Sequence, residues 1–153
     1  MNTNYRKGVG IFLLNKTKDV WIGKRVDVKS EFWQMPQGGV DKNESFKDAM
    51  YRELDEEIGT NNVMIIDQCE KLYKYDLPEN IKNKVWNGKY IGQIQQWFAC
   101  LYLGNDDEVN LKMHKPEFCE WKWIRPQEII NLVVPFKKEM YKKILDSFKH
   151  LYS

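Results

Sequence analysis

Residues 38–59 read Gly38-Gly-Val-Asp-Lys-Asn-Glu44-Ser-Phe-Lys-Asp-Ala-Met-Tyr-Arg52-Glu53-Leu-Asp-Glu56-Glu57-Ile-Gly59. Phe46, Ala49, Met50, Leu54 and Ile58 recur at steps of three and four, which predicts a helix from Glu44 to Ile58 with one apolar face. Gly59 supplies the stop, and Asp41, Asn43 and Ser45 are each suited to cap the start. On this helix Glu53, Glu56 and Glu57 crowd one face of the last turns. Like charges so spaced cost roughly a few tenths of a kcal/mol per pair, and they sit at the negative end of the helix dipole. A solvated acidic face is the plain reading of three glutamates alone. A helix that accepts both penalties is also a candidate for binding a divalent cation through hard oxygens, Mg²⁺ or Mn²⁺.

Outward from this segment, Gly8–Leu14 reads as a buried strand and Asp19–Gly23 as its neighbour, joined by the polar turn Asn15–Lys18. Phe32–Asp41, with Pro36, Gly38 and Gly39, reads as a loop. Strands are expected at Val63–Ile66, Cys69–Leu77, Gln95–Leu103 and Trp121–Ile124. A short helix follows at Pro126–Leu132, and an amphipathic closing helix at Phe136–Leu151. Trp33, Trp86, Trp121 and Trp123 are assigned to core packing. Strands interspersed with a few helices predict an α/β (α+β) fold, a mixed sheet covered by helices on both faces. No repeat or linker divides the chain, so one domain over residues 1–153 is expected.

The bulk composition excludes several classes. The chain has 153 residues, 24 Lys and Arg against 22 Asp and Glu, and a net charge of +2. That balance argues against a surface that is basic all over. The charges are nevertheless segregated. Residues 1–30 hold seven Lys/Arg against two acids, residues 41–57 seven acids against three bases, and residues 135–153 five Lys against two acids. No run approaches the roughly 18 apolar residues of a membrane span, and the first residues do not read as a secretory signal. Cys69, Cys100 and Cys119 lack the spacing of a zinc site or disulfide framework and read as thiols in a reducing cytoplasm. His114 and His150 are isolated, which leaves little material for a histidine triad or metal centre.

The 38–59 pattern contains seven fixed identities, two Gly, four Glu and one Arg, with chance odds at a given start on the order of 10⁻⁸. It resembles the box of the Nudix hydrolases at every fixed position. The one departure is Thr60, where that family usually has an aliphatic packing residue. Flanking motifs extend the resemblance over nearly the whole chain: Tyr5-Arg6 with Val9-Gly10, Trp33-Gln-Met-Pro-Gln-Gly-Gly39, Gly92-Gln-Ile-Gln-Gln-Trp-Phe98, Pro116-Glu-Phe118 with Trp121-Lys-Trp123, and Val134-Pro-Phe-Lys137. These are similar to the RNA pyrophosphohydrolases and the related dinucleoside polyphosphate hydrolases. The fold implied is the α/β/α sandwich of that family.

The resemblance implies that Glu53, Glu56 and Glu57 hold catalytic metal, with the Gly38 carbonyl as an added ligand and Glu117 as ligand or base. Arg52 is expected to orient a glutamate and Glu44 to brace loop and helix. Substrate contacts are expected from Arg6, Lys24, Arg25, Tyr75, Gln95 and Lys137. Phe136 is expected either to stack on a base or simply to be buried. The implied activity is Mg²⁺-dependent conversion of 5′-triphosphate or 5′-diphosphate RNA to 5′-monophosphate RNA, a step promoting RNA decay, with Mn²⁺ as a substitute. A dinucleoside polyphosphate such as diadenosine tetra- or pentaphosphate is the alternative substrate, and a nucleotide-binding module without turnover is the remote one. A cytoplasmic, bacterial monomer with no membrane partner is expected.

Overall fold

The computed structural model describes residues 4–26 and 31–153. Lys29 of the basic N-terminal stretch lies outside the described residues. The strands are β1 (Tyr5–Leu14), β2 (Val20–Arg25), β3 (Trp33–Gln34), β4 (Gln37–Gly39), β5 (Val63–Gln68), β6 (Tyr73–Asp76), β7 (Gly92–Tyr102) and β8 (Phe118–Ile124). The α-helices are α1 (Phe46–Ile58), α2 (Glu79–Lys82), α3 (Lys138–Ser147) and α4 (Lys149–Tyr152). All strands join one mixed sheet in the order β3-β2-β1-β7-β5, with β4 added to β1, β6 to β7 and β8 to β2. The β1–β7 pair is parallel, from Tyr5↔Gly92 to Leu14↔Leu101, and the others are antiparallel.

Strand alternation builds two cores, because successive side chains leave a strand on opposite faces. Val9, Ile11 and Leu13 of β1 pack with Phe98 and Cys100 of β7 beneath Ala49, Met50, Leu54 and Ile58 of α1. Phe12 and Leu14 pack with Trp97 and Ala99 beneath Met140, Tyr141, Ile144 and Leu145 of α3. The α/β/α sandwich is therefore as expected. Gly10 makes room for the largest side chain of the second core: a Cβ there would stand 2.2 Å from Trp97 Cε2.

The ends of α1 resolve the ambiguous cap. Ser45 Oγ accepts the Asp48 N–H at 3.0 Å, and Gly59 ends the helix with φ 81°, a left-handed conformation that a side chain disfavours. Three other expectations are corrected. Phe32–Asp41 is not only loop: β3 and β4 lie within it, and β4 pairs Gly39 with Gly8 and Gln37 with Gly10. Proline and glycine mark the turns, but pairing with a distant strand is invisible to local signals. The 69–77 strand shrinks to β6 because the C-terminal half of β7 is already paired with β5. The closing helix is broken. A 3₁₀ turn at Pro135–Lys137 precedes α3, and Phe148, buried with its ring 5.3 Å from Phe12, separates α3 from α4. Trp33, Trp86, Trp121 and Trp123 are half-buried and pack against the two cores as expected, while Trp21 and Trp97 lie fully inside them. No described helix is long and apolar enough to cross a membrane.

Gly10→Ala should lower Tm by several degrees, since overpacking of this kind costs about 1–3 kcal/mol. A thermal melt followed by circular dichroism checks this, and an unchanged Tm would mean that Trp97 yields.

Candidate active site

The guanidinium of Arg52 organises the entry to α1. Its Nε donates to Glu44 Oε2 at 2.7 Å and its Nη2 to Glu44 Oε1 at 2.8 Å, a two-pronged ion pair. Nη2 also donates to the Gly39 carbonyl at 2.8 Å, and Nη1 to Glu53 Oε1 at 2.9 Å and Glu56 Oε2 at 3.2 Å. Glu44 Oε1 in turn accepts the Asp41 N–H at 2.9 Å. Arg52 and that N–H hold the Glu44 carboxyl down at about 2. One side chain thus ties the 39–44 turn, the edge of β4 and two of the three box glutamates.

The Gly38-Gly39 pair is the hinge of the site. A Cβ on Gly38 would stand 2.0 Å from Glu53 Oε2, and one on Gly39 2.2 Å from Arg6 Nη2. Adjacent residues of a strand face opposite sides. The two missing side chains therefore admit a carboxylate on the α1 face and a guanidinium on the α3 face. Arg6 is further sandwiched by Trp86, whose ring centroid lies 5.2 Å from its Cζ.

The carboxylates are buried to different depths. Glu56 is exposed, Glu53 half-buried and Glu57 only 4% exposed. Burial pushes the Glu53 carboxyl up to about 7, against the pull of Arg52. Burial, then the charges of Glu53 and Glu117, push Glu57 well above the ordinary carboxylate range, opposed by Arg25 and the Gln37 N–H. Glu57 Oε2 has no hydrogen-bond partner. Glu117 is exposed just before β8, near enough for its charge to act on Glu57. Among the described residues no three His, Cys, Asp or Glu side chains already converge as a metal cage. The arrangement still fits a hard cation: an orphaned buried oxygen, mutually repelling carboxylates, and a glycine cradle under Glu53, all presenting oxygen.

Across the sheet lies a cleft of about 700 Å³ lined by Arg25, Tyr75, Phe136 and Lys137, together with Gln37 and Trp86. The rings of Tyr75 and Phe136 are 5.7 Å apart. Phe136 is half-buried, so it packs and also faces the cleft. Burial raises the Tyr75 hydroxyl pKa. Lys137, only 4% exposed, donates to Gln34 Oε1 at 3.2 Å and Gln37 Oε1 at 3.3 Å, with its Nζ 4.9 Å from the Tyr75 ring centroid.

Two expected substrate contacts are placed elsewhere. Lys24 turns to Glu120 at 3.4 Å and does not line the cleft. Gln95 is fully buried, and its amide is consumed internally. Its Nε2 donates to Gln37 Oε1 at 3.0 Å and Gln93 Oε1 at 2.5 Å, while its Oε1 accepts the Trp97 indole N–H at 2.9 Å. Its work is to hold Gln37, whose backbone N–H supports Glu57. Gln34, Gln37, Trp86 and Lys84 were not expected at the cleft. Gln34 and Gln37 sit in the Trp33–Gly39 motif, where a glutamine flanking the glycine pair is the available signal; Lys84 has none.

Glu44→Gln should lower Tm at neutral pH. The wild-type pair is at full strength above about 4.5, the free-glutamate value, and is lost as pH falls toward about 2. The gap between variant and wild-type melts should therefore close over that interval. A gap independent of pH would exclude the ion pair as its source.

Residues 4–144 match the family profile described as NUDIX domain. The chain is 48% identical over 151 residues to the RNA pyrophosphohydrolase of Pelagibacter ubique (strain HTCC1062), covering 99% of this chain and 96% of that protein. It is 39% identical to the RNA pyrophosphohydrolase of Orientia tsutsugamushi (strain Boryong), covering 96% and 91%. Among solved structures, the E. coli dihydroneopterin triphosphate pyrophosphohydrolase superposes with a TM-score of 0.70 at 17% identity, covering 93% of this chain and 97% of that one, a likeness of fold. Family profile, relatives and fold agree, and with the intact 38–59 box they establish that this chain belongs to the Nudix hydrolases, enzymes of phosphoric anhydrides that work with a divalent metal.

Proposed function

We infer that this protein is a Mg²⁺-dependent RNA pyrophosphohydrolase, converting 5′-triphosphate or 5′-diphosphate RNA to 5′-monophosphate RNA. The observation that carries the reading is the two-sided Gly38-Gly39 strand. Carboxylates lie on one side, and a cleft of cations and aromatic rings lies on the other. The near full-length likeness to proteins named RNA pyrophosphohydrolase supports the substrate. Glu53, Glu56, Glu57, Glu117 and the Gly38 carbonyl are the residues that would hold the cation, with Mn²⁺ as an alternative to Mg²⁺. A bound divalent cation neutralises phosphate charge and lowers the pKa of a bound water.

The remaining work belongs to the chain. Arg6, Arg25 and Lys137 neutralise phosphate oxygens and align the 5′ polyphosphate, which is most of what in-line phosphoryl chemistry asks of a protein. Phe136, backed by Tyr75, offers a face to the base. Water attacks a phosphorus, a P–O anhydride bond breaks with pyrophosphate leaving from a 5′-triphosphate or phosphate from a 5′-diphosphate, and the proton of the water passes to the Glu117 carboxylate. Arg52 and Gln37 act through others, fixing Glu53 and Glu57. The three cysteines are free thiols, which suits a reducing bacterial cytoplasm.

Glu57→Gln should cut kcat by about 100-fold or more while Tm holds or rises, because a buried, half-satisfied carboxylate becomes a neutral amide. Turnover near wild type would remove Glu57 from the machinery. With Mg²⁺ present, kcat/KM for 5′-triphosphorylated RNA should exceed that for diadenosine tetraphosphate. The reverse order would assign the enzyme to dinucleoside polyphosphates.

A further inference from the structure

Residues 79–91 form one side of the cleft and have no role in the chemistry above. The segment is tied at its neck, where the Leu77 N–H donates to the Ile91 carbonyl at 2.7 Å and the Ile91 N–H to the Asn4 carbonyl at 2.8 Å. Between these ties Trp86, Asn87 and Gly88 follow one another with φ of 51°, 58° and 71°. Glycine takes such angles freely. An indole-bearing residue does so only under strain, and strain of this kind is found where a side chain must be aimed. Here Trp86 is aimed at the cleft, with Arg6 over its ring and Tyr90 edge-on at 6.1 Å.

The same segment is basic. It holds Lys82, Lys84 and Lys89 against a single acid, Glu79. Lys84 is exposed, lines the cleft, and makes no ion pair among the described residues. Lys82 reaches only the outlying Glu79 at 3.7 Å, and Lys89 lies 5.6 Å over the ring of Tyr90. A half-exposed aromatic face set among such loosely held cations is the chemistry that grips single-stranded nucleic acid, with stacking on the ring and phosphates on the lysines.

We propose that residues 79–91 bind the nucleotides that follow the 5′ end of a single-stranded RNA, with Trp86 facing a base and Lys82, Lys84 and Lys89 meeting backbone phosphates. The proposal rests on the RNA reading above and sharpens it. A dinucleoside polyphosphate has no phosphodiester backbone to offer these lysines, so the segment is a device for preferring RNA.

The test compares a 5′-triphosphorylated dinucleotide with an oligonucleotide of about ten residues, a length within the usual span of such sites. It uses wild type and the triple variant Lys82→Ala, Lys84→Ala, Lys89→Ala, each checked by a thermal melt. Wild-type kcat/KM should be on the order of 10-fold higher for the longer RNA, and the variant should lose most of that ratio. Its slope of log kcat/KM against log salt on the longer RNA should be shallower by about 2, roughly 0.7 for each phosphate that a lysine no longer neutralises. A variant that keeps the wild-type ratio, or a wild-type enzyme indifferent to RNA length, overturns the site while leaving the activity assignment intact. No turnover of either RNA overturns both together.

Discussion

The site depends on the guanidinium of Arg52 more than on any other group. Its donors reach Glu44, the Gly39 carbonyl, Glu53 and Glu56 at once, which only a planar, five-donor cation can do. Without it, the turn before α1 loses its partner and two carboxylates lose their orientation. The apolar face of α1 seats the helix on the sheet. Arg52 then determines how far the acidic end of that helix stands from β4. The network is partly exposed, so its worth lies in geometry more than in raw stability.

Around that anchor the molecule keeps opposite charges on opposite sides of a strand that has no side chains to separate them. Glu53 lies against Gly38 and Arg6 against Gly39, with only backbone between. The net charge of +2 in a chain so rich in both signs is thus a sum of charges that lie apart. The acids gather along the last turns of α1, and the bases gather in and beside the cleft. The buried amides Gln34, Gln93 and Gln95, with the half-buried Gln37, stiffen the boundary without adding charge.

Much of the site is legible in the chain. The box helix, its glycine stop and its three glutamates follow from spacing on one element, and local periodicity does not wait for a partner. Arg6, Arg25, Phe136 and Lys137 come from resemblance and Tyr75 from its place in Tyr75-Asp-Leu-Pro78, and all of them are found at or beside the cleft. The misplacements share a cause. Gln95 and Lys24 have the polarity of ligand contacts, but polarity does not say which partner is nearer. Gln95 meets Gln37 and Trp97, and Lys24 meets Glu120 across the β2–β8 pair. Trp86 packs against the core as its residue type predicts; that it also lines the cleft, on a left-handed backbone, is not legible locally.

By itself, then, the amino-acid sequence determines the α/β class, the acidic helix of the 38–59 box and its run of carboxylates, since each is written in the spacing of neighbouring residues. The tertiary structure alone decides the pairing of β4 with β1, the break at Phe148, the burial of Glu57 and the membership of the cleft. Those features join segments as distant as Gln37, Trp86 and Phe136. They are set by which surfaces exclude water together, a property of the packed chain that no local run of residues carries.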